Sequence, residues 1–144
     1  MNSEREKSYV EYKKSFRKLP ENIKQDNIAA AARIPQVLAH VGLYVVPQKD
    51  KGSDSPSPES VQAIIEDNIE VLAEIEHLMW MEEKFRDGWQ FGTPRDDDRR
   101  IHHSLVPYAD LSESDKQKDR NQVRKYLEFV DMAGYKIASR VESK

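Results

Sequence analysis

The sequence contains no cysteine, which excludes disulfides, thiolate catalysis and zinc sites built on sulfur. Glycine is scarce, at five in 144 residues, and none sits in the glycine-rich pattern that cradles a nucleotide phosphate. No apolar run approaches the ~20 residues needed to span a bilayer. The opening MNSEREKS lacks the apolar centre of a secretory signal, so the expectation is a cytoplasmic protein away from membranes. A basic excess is missing too, with 23 Lys and Arg against 26 Asp and Glu and a net charge of −3. Proteins that ride phosphate backbones carry such an excess, which argues against nucleic acid as the main partner. Apolar residues reach only 38%, below the usual ~45–50%. The core should be thin, and one domain is the natural reading.

What is present favours helices. From Ser3 to Leu19, Tyr9, Tyr12, Phe16 and Leu19 recur at spacings of three and four, an amphipathic pattern with one aromatic stripe. Pro20 reads as the first position of a second helix. Its apolar pattern runs through Ile23, Ile28, Ala31, Ala32, Leu38 and Val41. Pro35 removes a backbone donor inside that pattern and predicts a kink or break. Gly42 supplies a left-handed cap, and Leu43 to Val46 reads as a short strand. Gln48 to Ser57 has the composition of a mobile linker. The predicted organisation is 1–47 as N-terminal helices with a strand, 48–57 as linker and 58–140 as the main domain.

Ser57-Pro58-Glu59 is a helix start with Ser57 as N-cap. The predicted helix runs unbroken from Pro58 to about Arg86. Val61, Ile64, Ile65, Val71, Leu72, Ile75, Leu78, Met79 and Phe85 form its wide apolar face, while Glu74, Glu76 and Glu82 are among those on the solvated remainder. Gly88 ends it, and Trp89 and Phe91 can point the same way on an extended segment. After a charged loop, Ser112 and Asp115 resemble a capping box. A last helix carries Val123, Tyr126, Leu127, Val130 and Ala133, Gly134 caps it, and Tyr135 to Ile137 reads as a second strand. The two helix–glycine–strand passages share one grammar, which predicts that their strands pair. A lone pair is marginal in water and needs helices to prop it.

The stretch from Ala73 to Tyr108 concentrates both Trp, two Phe and three of the four His. Ala73-Glu74, His77, Trp80, Lys84, Gly88-Trp89, Phe91-Gly92, Asp96-Asp97, His102, Leu105 to Tyr108, Leu111, Lys116, Asp119-Arg120 and Gly134-Tyr135 follow an ordered framework. That framework resembles the ryanodine-receptor repeat, the RyR domain, over roughly residues 60 to 138. One departure is visible: the family's histidine is usually followed by proline, and here by His103. The segment from Leu19 to Gly42 is similar to one that precedes the repeat in some bacterial proteins. The resemblance implies a mainly α-helical domain with a small two-stranded β element. It also implies a module for domain contacts and regulation rather than a catalyst, with a homodimer as a means of bringing two copies together.

Two readings of the central residues stand side by side. As structure, Trp80 packs under the Trp89 turn, His77 bonds loop backbone, and Glu74 pairs with a loop arginine. Gly88, Phe91, Gly92, Pro107 and Tyr108 then shape the framework. As a ligand site, Lys84, Arg95, Arg99 and Arg100 grip a phosphate, Trp80 and Trp89 offer stacking faces, and His102 completes the set. The small molecule for such a site is anionic and nucleotide-like. A metal reading of Asp96, Asp97, Asp98, His102 and His103 is weak, because the neighbouring arginines repel a cation. Their mixed signs suit a loop of internal salt bridges. No serine elbow, triad or repeated Glu-x-x-His occurs. The expectation is therefore no enzyme, no cofactor and no resident metal. It favours a regulatory or protein-interaction module that binds a partner or itself, with a small-molecule sensor and, more weakly, a metal-dependent hydrolase as alternatives.

Overall fold

The computed structural model describes residues 31–49 and 56–139. The aromatic helix expected from Ser3 to Leu19 and the start at Pro20 lie outside the described residues, as does most of the expected linker. The chain divides into two compact units, one of residues 1–64 and 125–144, the other of residues 65–124.

In the first unit, residues 31–39 are helical (α1). The break expected at Pro35 does not occur: Ala31 and Pro35 are both exposed, so the carbonyl that loses its donor faces water. Ile34, Val37 and Leu38 are buried along the opposite side. Gly42, at φ 76°, ends the helix and hands the chain to β1 (Leu43–Pro47). After α5 (Tyr126–Met132), Gly134 at φ 87° does the same for β4 (Tyr135–Ser139). β1 and β4 pair antiparallel with Val45 opposite Ile137, as their shared grammar predicts. Leu43, Tyr126, Val130, Ile137 and Ala138 are buried in this unit. Gln48, assigned to the linker by composition, is instead a clamp. Its backbone N–H donates to Gly134 O, and its side-chain amide to Asp131 O, Asp131 Oδ1 and Tyr135 O. Three acceptors clustered at the end of α5 explain why a linker-like residue is held.

The expected single long helix is two. α2 (Pro58–Asp67) starts as predicted, with Ser57 Oγ accepting from Ser60 N at 3.1 Å. Asn68, at φ −119° and ψ 20°, interrupts the ladder for one residue before α3 (Ile69–Arg86). Asn is prone to leave helical geometry, and the apolar spacing runs on across it unchanged. The last helix is likewise divided at Lys125, into α4 (Glu113–Arg124) and α5. No described helix is long and apolar enough to cross a membrane.

In the second unit, Ala73, Tyr108 and Leu111 form a buried cluster with Val106 against it. α3 buries Leu72, Ala73, Glu76, His77 and Met81, a different face from the one its hydrophobicity suggests. Val71, Leu78 and Phe85 point outward, whereas Glu76, expected in solvent, lies with Leu72 and Ala73 on the inner side. Helical geometry places residue 76 nearly opposite residue 78, so turning the helix to bury Glu76 necessarily exposes Leu78.

Candidate functional site

The C-terminal end of α3 builds the frame. Gly88, at φ 88°, occupies the left-handed position past the helix. Gly88 N bonds Phe85 O and Trp89 N bonds Lys84 O at 2.9 Å, the pair of bonds of a Schellman cap. The chain then runs into β2 (Gln90–Phe91), which pairs in parallel with β3 (Ile101–His102). Between them, Asp96 Oδ1 accepts from the backbone N–H of Asp98 and Arg99. The Asp96 and Ile101 backbones exchange both their bonds at 2.9 Å. This second, parallel strand pair is additional to the expected β element.

Gly92 is required by packing. A Cβ there would lie 2.6 Å from Cγ2 of Ile101, a stiff β-branched side chain. Gly92→Ala is expected to lower stability by about 1–3 kcal/mol through overpacking, read as an earlier thermal unfolding midpoint. A midpoint equal to the parent's would show that the two strands are not held this close.

Below this frame lies a cluster of rings. Trp80 meets His102 edge-on with centroids 5.0 Å apart, and Trp89 lies 6.2 Å from the same imidazole. Trp80 therefore packs toward the Trp89 turn with His102 as the shared surface. His77 stacks on Trp80 at 5.5 Å, and His103 on His102 at 4.9 Å. His103 thus provides a further stacking ring. It also approaches Asp115 at 3.6 Å.

The two inner histidines are shifted in opposite directions. His77 is buried, with Nε2 2.8 Å from Val106 O and Nδ1 3.2 Å from Asp119 Oδ2. A carbonyl can only accept, so Nε2 carries a proton, and the carboxylate favours another on Nδ1. Burial alone would lower the His77 pKa. The bonds to Asp119 and Val106 outweigh it and raise the pKa above the ordinary 6.5. His102 is different. Burial, then the charges of Arg95, His103 and Lys84, push it down to about 4. Its Nδ1 accepts from Ser104 N–H at 3.0 Å, which fixes the neutral ring with its proton on Nε2.

A polar seam joins α3 and the end of α2 to α4. Glu70 accepts from Tyr108 Oη at 3.1 Å and from Arg120, which also reaches Glu113. Arg120 holds the Glu70 carboxyl below its usual range. Burial, then the Glu70 contact, raises the Tyr108 pKa. Arg124 forks onto Glu66. Ser112 caps α4 by accepting from Asp115 N at 3.1 Å. The expected box is only half formed, because the Asp115 carboxylate is turned to Ser104, His103 and Lys118. Sequence reading assigned none of these contacts to Glu66, Glu70, Asp119, Arg120 or Arg124, and gave Asp115 only a place in the capping box. Their one signal is the helical spacing of the α4 charges toward acids far off in sequence.

The residues proposed for a ligand do not converge into one cation pocket. Lys84 Nζ lies over the Trp89 ring at 4.7 Å. Arg95 forks onto Asp97 at 2.7 and 3.2 Å and draws the Asp97 carboxyl downward. Arg99 approaches Asp96 at 3.7 Å. Arg100, at φ 57°, donates to Asp87 O at 2.6 Å, tying the loop to the end of α3. The internal ion pairs expected of this loop are thus present. Glu74 departs from expectation: it is exposed, and the loop arginines have nearer partners. Phe91 is also exposed and serves the frame through its backbone. Pro107 leads into the 3-10 turn Tyr108–Asp110. Among the described residues, no group of three or more His, Asp or Glu side chains is placed to hold a metal.

The chain matches the RyR domain over residues 57–139. It belongs to the RyR-domain family. In this RyR domain the quoted framework residues have physical roles: Gly88 and Trp89 close the helix, Gly92 admits Ile101, and His77, Trp80 and His102 form the ring cluster. Asp119 and Arg120, which the resemblance quoted without a role, anchor His77 and Glu70.

Proposed function

We propose that this RyR domain is a non-enzymatic regulatory or protein-interaction module of the cytoplasm. It engages its partner through α3 and the segment from Trp89 to Tyr108. The observation that carries the reading is the commitment of His77 and Ser104, and of one His102 nitrogen, to structural bonds. His77 uses both nitrogens, His102 is held neutral, and Ser104 Oγ donates to Asp115 rather than to an imidazole. A general acid or base needs a proton it can exchange with substrate, and the bonded His77 and Ser104 are ill placed to offer one. Meanwhile large apolar side chains on α3 and Phe91 on β2 remain exposed.

One observation favours a second reading, an anion sensor. Lys84 and Arg95 both act on His102 with positive charge, beside the half-buried rings of Trp80 and Trp89. A thermal-shift series with ATP, ADP, cyclic nucleotides and inorganic phosphate separates the two. The interaction reading expects an unchanged midpoint at millimolar concentrations. Stabilisation that grows with the logarithm of ligand concentration would overturn it in favour of the sensor.

A further inference from the structure

Val71, Leu78 and Phe85 are 55%, 50% and 52% exposed, and each is seven residues from the next. At 100° per residue they fall within an arc of about 40° on the outer side of α3, along a line about 21 Å long. Glu74 and Glu82 lie about 40° from Leu78, one on each side. Both are exposed, and among the described residues neither makes an ion pair or a hydrogen bond. The outer face is therefore an apolar line with an acid on either flank. The exposed cation Arg86 lies about 80° round, at the C-terminal end.

We propose that this face docks an amphipathic helix of a partner protein, with apolar residues seven apart and Lys or Arg beside them. The proposal rests on the interaction-module reading and names the chemistry of the partner. An apolar line at this period fits another helix by knobs-into-holes packing, and the two acids select the charge of its flanks. A second copy of the chain fits less well. Antiparallel pairing about Leu78 sets Glu74 against the partner copy's Glu82, and parallel pairing sets each acid against itself. A patch of three half-exposed side chains buries too little for a permanent complex, so the contact is transient.

The test uses the full chain and two synthetic helices of about 18 residues. Both carry Leu at every seventh position, one with Lys on the flanks and one with Glu. Fluorescence anisotropy is expected to show micromolar binding of the Lys helix and at least tenfold weaker binding of the Glu helix. The difference should shrink in high salt. Leu78→Glu is expected to abolish binding with an unchanged melting midpoint, since the side chain is outside the core. The double variant Glu74→Lys with Glu82→Lys is expected to reverse the preference. Equal binding of both helices, or binding that survives Leu78→Glu, overturns the proposal. So does a dimer in light scattering that Leu78→Glu dissolves, because the occupant is then a second copy. No binding of either helix with no nucleotide shift removes this docking face alone. No binding together with a nucleotide shift removes the module reading as well.

Discussion

Trp80→Ala is expected to reduce the free energy of unfolding by about 3 kcal/mol, the lower end for a large aromatic because the ring is half-buried. Trp80 carries two imidazoles, with His77 stacked on one side and His102 meeting it edge-on. Truncation removes those contacts and opens a cavity that the stiff turn at Gly88 and Gly92 cannot collapse into. In a chain of this size the loss corresponds to a fall of about 6–12 °C in melting midpoint. A second effect separates packing from a mere surface role. Burial is the largest influence holding His102 down at about 4, so admitting water should raise its pKa toward 6.5. A variant as stable as the parent, with His102 unmoved, would make Trp80 an exposed binding residue instead.

The second large effect is a stability maximum near pH 6.5 with losses on both sides. His102 has a folded pKa below its unfolded value, so its contribution is fully present above about 6.5. It is lost as pH falls toward about 4, and the gap is worth up to about 3 kcal/mol. Glu70, Asp97 and Asp115, whose carboxyls are also held low, add further loss at more acid pH. His77 has the opposite sign. Its folded pKa is raised, so its contribution is present below about 6.5 and lost as pH rises through the folded value. Urea unfolding at acid, near-neutral and alkaline pH reads both limbs. Asp119→Asn should flatten the alkaline limb, because the amide no longer favours a proton on His77 Nδ1. His102→Asn should flatten the acid limb, since its carbonyl can still accept from Ser104. Stability flat across this range would contradict both histidine assignments.

The parts of the fold legible in the sequence are those set by local chemistry. Gly42 and Gly134 mark two turns that only a residue tolerant of positive φ makes easily, and the strands after them pair. Ser57 and Ser112 cap helices because a hydroxyl two or three residues ahead of a free N–H is a local arrangement. The intermixed charges of Arg95 to Arg100 pair among themselves for the same reason.

What was not legible depends on residues far apart in the chain. His77 finds Asp119 across 42 positions, and nothing in either neighbourhood announces the other. β2 and β3 pair through backbone bonds, which leave no trace in side-chain pattern. The inner face of α3 was misread because hydrophobicity is shared between a buried side and an exposed side. Val71, Leu78 and Phe85 are as apolar as Leu72, yet only the packing of the unit tells them apart.

Imidazole titration of the intact chain by NMR tests the central claim most directly, that the ring cluster is closed scaffolding. His77 should titrate above the ordinary 6.5, and His102 below it, neutral near pH 6.5 with its proton on Nε2. Both rings titrating together near 6.5, open to solvent, would contradict the account and return the cluster to the candidates for chemistry.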